Sequence, residues 1–368
     1  MNEKIAVIGI GRLGLCLALN LERTGMEVLG VDVNEKTVDA VNKKTLETTE
    51  PLVTEYLSKA KNLSATTDLS RIIQEKIEIV FVVVPTPSLP NGGFDHRLID
   101  EVAGKLAKLP KPQTKTLLII NSTTMPGYCG LLHKKMEAFN YEVIYNPEFI
   151  AQGSIIRDQQ QPDQVLIGEA DAVCGDRLEH IYKKVCINNP VFCRMSFISA
   201  EITKLATNCF LTSKIAFANA VGDLATLAGA QPDKILKAIG SDKRIGENYL
   251  RYGFGYGGPC FPRDNKAFRK FSSELSYTAV LSEATDKANA QHGAFMFSEW
   301  LKKFNDTDSI VFDSVTYKPG TDILEESQQL KLAVELAKAG RKVHIKERKE
   351  VIEALRKQYG NLFQYSVR

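Results

Sequence analysis

The stretch Ile5-Ala-Val-Ile8-Gly9-Ile-Gly11-Arg12-Leu13-Gly14 decides the fold. Its four apolar residues read as a short buried strand, its three glycines as a turn, and Leu15, Leu17, Ala18 and Leu21 follow at helical spacing. Strand, glycine turn and helix in this order suit a dinucleotide. The first glycine permits the turn and the second lets backbone amides reach a pyrophosphate. The third lets the helix pack closely on the strand, with the helix N-terminus facing the anion. A second strand, Val28-Leu-Gly-Val-Asp32, ends in a carboxylate about 20 residues further on, placed to bind both ribose hydroxyls and to repel a 2′-phosphate. NAD is therefore favoured over NADP. Glycines that serve only packing are the competing reading, and Asp32 weighs against it. Gly25, before the second strand, reads as a helix C-cap.

Further apolar runs, Ile79–Val84, Leu117–Ile120 and Val143–Tyr145, read as strands covered on both faces, as in a parallel sheet. Each ends in a polar or proline-bearing loop: Pro85-Thr86-Pro87, Asn121-Ser-Thr-Thr124-Met-Pro126-Gly127, and Asn146-Pro147-Glu148-Phe149. Ligands of open α/β sheets bind at the carboxyl ends of strands, so these loops are expected to line one crevice. Thr124 and Glu148 become candidates there, against the plainer readings of helix cap and solvated charge.

From about Ser199 to about Ala228 the pattern is nearly unbroken helix, ~45 Å long, apolar on more than one side, a spine shared by two domains or two subunits. Lys204 and Asn208 are four apart on one face. The lysine either snorkels to water or joins Asn208 in aiming donors at a carbonyl or alkoxide oxygen. Near residue 260 the chain reads Gly253-Phe-Gly-Tyr-Gly-Gly258-Pro-Cys260-Phe-Pro-Arg-Asp264, a glycine-rich backbone suited to close approach of a ligand. It delivers a cysteine and, four residues on, an aspartate, either as nucleophile with polar partner or as a packed thiol.

At 368 residues the chain exceeds one ordinary core, and its 47 Lys+Arg against 44 Asp+Glu create no field that selects nucleic acid or a membrane. Seven scattered cysteines, with no C-x-x-C pair and no secretory leader before Ile5, suggest a reduced cytoplasmic setting. The five histidines lie far apart and outside metal-ligand spacing, so no metal is expected. No apolar run is long enough to span a bilayer, and no solenoid repeat is visible.

These elements occur together in a family that the chain resembles over about residues 3 to 340, the UDP-glucose/GDP-mannose dehydrogenases. The matching stretches are GIGRLG at 9–14, VVPTP at 83–87, STTMPG at 122–127, NPEFIAQGSIIRD at 146–158, AEITKLATN at 200–208, RIGENYL at 244–250, FGYGGPCFPRD at 254–264 and, more weakly, TYKPGTD at 316–322. The resemblance implies a Rossmann-like NAD-binding domain over 1–195 and a helical dimerisation and catalytic-loop domain over 196–300. An abbreviated Rossmann-like nucleotide-sugar domain would cover 301–368. It also implies twofold oxidation of a sugar-nucleotide primary alcohol to a carboxylate, with two NAD and one water consumed, serving surface polysaccharide. UDP-glucose is the leading candidate substrate, on the RIGENYL and FGYGG segments.

By the same resemblance Cys260 is the thiol that attacks the aldehyde, Lys204 and Asn208 stabilise the oxyanion, and Asp264 positions the lysine and a water. Thr124 and Glu148 order the water for proton transfer and hydrolysis. The cofactor would contact Gly9, Gly11, Arg12, Leu13, Gly14, Asp32, Pro85, Thr86, Thr124 and Arg263. The sugar nucleotide would contact Phe149, Ile150, Gln152, Lys204, Asn208, Tyr249, Phe254, Tyr256, Gly257 and Lys318, with Arg244 reaching a neighbouring subunit's substrate in a homodimer.

Three features depart from the family pattern. Gln152 replaces a glutamate, Glu325 replaces an arginine, and Lys346-Glu-Arg-Lys349 replaces the usual Asp-Pro. Gln152 and Glu325, with the abbreviated C-terminal domain, keep open a binding or regulatory protein descended from the enzyme. Other readings are a dehydrogenase of GDP-mannose or a UDP-N-acetylhexosamine, and a β-hydroxyacid dehydrogenase, whose single oxidation needs no thiol.

Overall fold

The apolar runs of the first half become neighbours in one sheet of a computed structural model, which describes residues 3–368. Its strands are β1 (Lys4–Ile8), β2 (Glu27–Val31), β3 (Leu63–Thr66), β4 (Ile79–Val82), β5 (Thr116–Ile120), β6 (Tyr141–Tyr145), β7 (Gln164–Gly168) and β8 (Val191–Met195). They lie in the order β3-β2-β1-β4-β5-β6-β7-β8. Every neighbouring pair is parallel except β6 and β7, which meet antiparallel where Tyr145 faces Gly168. Alternate residues feed two apolar layers. Ile5, Val7, Phe81, Ile119 and Ile144 pack on one face with Leu17 and Leu21 of the helix Arg12–Arg23, while Ala6, Ile8, Val80, Val82, Leu118 and Ile120 pack on the other. Burial on both faces is why these strands read as unbroken apolar runs. β3 and β8 escape that reading, because LSAT is half polar and β8 carries Arg194; β7, QVLIG, was missed although it is apolar and buried.

The strand order reverses between β1 and β4, and the glycine turn sits at that switch point, where the ends of two strands leave a crevice. Gly9 has φ +90° and its amide donates to the carbonyl of Val31 at 2.7 Å. A Cβ on Gly9 would overlap the carbonyl of Val83, and one on Gly14 would overlap the carbonyl of Gly9. Gly11 faces open space. The three glycines thus do three different jobs.

The chain divides into two units, Met1–Lys204 and Leu205–Arg368. In the second, β9 (Ser309–Phe312), β10 (Lys342–Glu347) and β11 (Gln364–Val367) form a parallel sheet in the order β11-β10-β9, over a core of Ile310, Phe312, Leu332, Leu336, Ile345 and Leu355. The central helix, Phe197–Leu227, begins and ends close to its expected limits and runs through the division between the units. Its faces are inverted. Glu201, Lys204, Asn208, Thr212 and Asn219 recur at helical spacing and are buried, whereas Phe210, Phe217 and Leu224 recur every seven residues on the opposite side and are exposed.

Gly14→Ala is expected to lower the unfolding free energy in urea by ~2–3 kcal/mol through overlap with the Gly9 carbonyl. Gly11→Ala should cost under ~1 kcal/mol, since its methyl meets only open space, yet weaken NAD binding measured by titration calorimetry about tenfold.

Candidate active site

The nucleotide turn is assembled for an anion and a diol. Gly11 is the N-cap of the helix Arg12–Arg23 and offers no side chain to the first-turn amides, which leaves them to a pyrophosphate. Asp32 accepts from the amides of Ile10 at 3.0 Å and Asn34 at 2.9 Å, so its carboxylate is oriented at the end of β2. Leu13 packs against the core, and Arg12 donates to Gln152 Oε1 at 2.8 Å. The glutamine that departs from the family pattern is thereby a partner of the phosphate-side arginine. After β4, Pro85 is exposed, while Thr86 is buried and donates to the carbonyl of Thr123 at 2.8 Å.

Glu148, in the loop after β6, receives Gln159 Nε2 on both carboxylate oxygens at 3.0 Å. Burial raises its pKa to about 7, against the opposing pull of the Gln159 hydrogen bond and the Lys204 charge. Lys204 is 6% exposed, which removes the snorkelling alternative. Its ammonium donates to the backbone carbonyl of Glu148 at 2.6 Å and lies 4.4 Å from the ring centre of Phe149. Ile150 packs on the first apolar layer.

Thr124 is fully buried and donates to Glu201 Oε1 at 3.0 Å. Glu201 also accepts from the amides of Gly127 at 2.6 Å and Cys129 at 2.8 Å, so one carboxylate pins the whole 124–129 loop. The sequence reading missed Glu201, Gln159 and Glu50, which accepts from the amides of Gly153 and Ile155. Glu201 had a signal, since it lies three residues before Lys204 on the same helical face. Gln159 and Glu50 had none.

In the second unit, Asn208 donates to Asp264 Oδ2 at 2.6 Å, both side chains being buried, and Arg263 Nε lies 3.4 Å from the other oxygen. Cys260 is the N-cap of the helix Phe261–Glu274 and is exposed. Every other cysteine is buried or half-buried. Burial, with nearby carboxylates in several cases, pushes the thiols of Cys174 and Cys186 up to about 11 and Cys209 up to about 12, with Cys16 and Cys129 higher still.

The glycine loop differs from expectation in what its glycines approach. Cβ atoms on Gly255, Gly257 and Gly258 would overlap Asn289, the carbonyl of Glu326 and the ring of Tyr317, so these three admit the protein's own atoms. The Gly258 amide donates to the carbonyl of Glu325, whose side chain is exposed. Phe254 packs on the second unit's core, and Tyr256 is buried with its hydroxyl against Asp286. Tyr249 is partly exposed at φ +66°, and the carbonyl of Lys318 accepts from Thr316 and Thr321. Arg244 lies open to solvent, gripped by Asp242. Away from these residues, the fold gathers Glu142, Asp171 and Cys174 with ligand atoms within 4.8 Å of one another, although Lys115 pairs with the first and the second caps a helix.

A doubly wound sheet with this turn and this carboxylate defines a NAD-dependent oxidoreductase. Residues 3–186 match the NAD binding domain of the UDP-glucose/GDP-mannose dehydrogenase family and residues 198–291 match its central domain. The chain belongs to the UDP-glucose/GDP-mannose dehydrogenase family. It is 29% identical over 355 residues to a UDP-glucose 6-dehydrogenase of Pseudomonas aeruginosa, covering 92% of this chain and 78% of that one. It is 28% identical over 359 residues to a GDP-mannose 6-dehydrogenase of the same organism, covering 94% and 81%. A solved UDP-glucose dehydrogenase from the hyperthermophilic archaeon Pyrobaculum islandicum aligns with a TM-score of 0.89 at 29% identity, over 100% of this chain and 86% of that one.

Iodoacetamide near neutral pH is expected to label Cys260 well before the other six cysteines, as read by peptide mass spectrometry. Glu148 supplies a pH test. Because its folded pKa lies near 7, above the unfolded carboxyl range, the folded state holds the extra proton between about pH 4.5 and 7, and stability falls as pH rises through that window. Glu148→Gln should remove up to roughly 3 kcal/mol of that fall in urea titrations across the window.

Proposed function

We propose that the chain oxidises carbon 6 of UDP-glucose twice, giving UDP-glucuronate through a thioester on Cys260. The observation that carries the proposal is the exposed thiol at the head of the helix whose Asp264 grips Asn208. An aldehyde must become tetrahedral before it can lose a second hydride, and sulfur addition supplies that carbon. The Gly9–Gly14 turn and Asp32 would hold NAD, which would supply the hydride acceptor for each oxidation.

The roles proposed for the chain's residues follow from their chemistry. The Cys260 sulfur adds to the aldehyde carbon, and Lys204 with Asn208 donates to the oxygen that gains charge. The Lys204 ammonium is desolvated and fixed on a backbone carbonyl, and Asp264 fixes the Asn208 amide, so neither donor must reorganise. Glu148, with a pKa near 7, is suited to take a proton from water and later return it, and with it hydrolysis needs no carboxylate at position 152. Thr124 supports this part of the site through the loop that Glu201 holds.

The division into a NAD-binding domain (1–195), a helical domain (196–300) and a nucleotide-sugar module (301–368) belongs to the same proposal, as does a homodimer about the central helix. Phe210, Phe217 and Leu224 are 67%, 54% and 67% exposed in one stripe, the kind of contiguous apolar surface that a second copy would cover. Arg244, exposed and paired with Asp242 of its own loop, is proposed to reach a partner's substrate. Seven cysteines outside any disulfide suit a reducing, cytoplasmic setting, and among the described residues no helix is long and apolar enough to cross a membrane.

The test is a panel of UDP-glucose, GDP-mannose and UDP-N-acetylhexosamines read by NADH absorbance. Two NADH per UDP-glucose are expected; one NADH with a free hydroxyacid, or binding without any NADH, would overturn the reading. Cys260→Ala should abolish acid formation with NAD affinity intact, and robust acid formation by that variant sinks the thioester. Phe217→Glu with Leu224→Glu should shift the protein to monomer in light scattering.

A further inference from the structure

Residues 253–256 are held from outside the loop. Asn219 Oδ1, on the central helix, accepts from the Gly253 amide at 3.1 Å. On the helix Val280–Lys303, Asn289 accepts from the Tyr256 amide at 3.0 Å and donates to the Tyr256 carbonyl at 3.1 Å. Three residues further along that helix, His292 Nε2 meets the Gly253 carbonyl at 2.6 Å. The ring's other nitrogen lies 2.9 and 3.0 Å from the two carboxylate oxygens of Asp223. Asp223 also accepts from the hydroxyl of Tyr252 at 2.9 Å, and the Tyr252 ring sits edge-on to the imidazole.

We propose that His292, oriented by Asp223, is a positioning residue for the nucleophile loop: it fastens the Gly253 carbonyl and so sets where Cys260 stands. A peptide carbonyl and a carboxylate both accept, so each ring nitrogen faces an acceptor. The second nitrogen is what distinguishes this anchor from the two asparagines. Asn219 and Asn289 hold the loop with amides whose orientation rests on the loop itself, whereas the Asp223 contact orients the imidazole independently of it. Asp223 therefore grips the start of the loop twice, through Tyr252 directly and through Gly253 by way of His292. With Nε2 capped by a carbonyl, the histidine is unavailable as a base, and its influence reaches the thiol only through the backbone from Gly253 to Cys260. Gly255, Gly257 and Gly258 lie on the path, each packed so closely that a Cβ would overlap Asn289, Glu326 or Tyr317.

The inference rests on Cys260 being the nucleophile, but its test does not depend on turnover alone. His292 is 2% exposed and lines a cavity of about 660 Å³ shared with Phe254, Asn289 and Phe297, so removing the ring leaves a hole that a small molecule can refill. His292→Ala should lower kcat about 100-fold with NAD affinity unchanged, and change the rate of Cys260 alkylation by iodoacetamide. Added imidazole should restore both, while pyrrole, with a single N–H and no second nitrogen, should restore neither. Asp223→Asn should show the same direction of change and no imidazole rescue.

Unchanged kcat and alkylation in a folded His292→Ala would overturn the proposal. So would equal rescue by pyrrole, which marks a packing role, or a loss of NAD binding that imidazole does not repair. Acid formation by Cys260→Ala, in contrast, would remove the nucleophile reading and leave the alkylation and rescue results to judge the loop anchor separately.

Discussion

Burying a polar side chain is costly unless it finds a partner, and the central helix buries five on one face, with a sixth, Asp223, half-buried. Each partner belongs to a segment that carries candidate chemistry or supports one. Glu201 takes the 124–129 loop, Lys204 the carbonyl of Glu148, and Asn208 the carboxylate of Asp264. Further along, Thr212 meets Asn265, Asn219 meets Gly253, and Asp223 meets Tyr252 and His292. The helix thus works as a rail of hydrogen-bonding groups. Loops that would otherwise lack backbone partners are fixed to it, which is how irregular chain can hold side chains steadily enough for catalysis.

The inverted face has a matching consequence. With polar groups turned inward, Phe210, Phe217 and Leu224 of the same helix are left exposed. The same burial that makes Lys204 a fixed donor and raises the pKa of Glu148 towards neutrality also raises the pKa of the buried thiols, while Cys260 stays exposed. Desolvation is the shared cause. It shifts the carboxyl into the range useful for proton transfer and the thiols out of the range useful for attack.

Some of this was legible from residue order and some was not. The Gly9–Gly14 turn could be read because its three glycines have distinct steric jobs that no other residue fills. The strands at 79–82 and 116–120 could be read because burial on both faces leaves an unbroken apolar run. The edge strands β3 and β8 could not, because LSAT is half polar and Arg194 interrupts a β8 that is only partly buried. Gln152 illustrates the limit for single residues. As a sequence position it was a lost carboxylate; in the fold it is the partner of Arg12, a contact 140 residues away in the chain.

Taken alone, the order of residues determined the nucleotide fold, the choice of NAD and the set of candidate groups, because each rests on short-range pattern: alternation, a tight turn, a spacing of four. Only the tertiary structure decided which of two readings each polar group takes. Lys204 is desolvated instead of snorkelling, the glycines before Cys260 yield to Asn289, Glu326 and Tyr317, and Glu148 sits near neutrality. Those outcomes depend on how much water and which distant atoms surround a side chain, quantities set by the packing of segments remote in sequence.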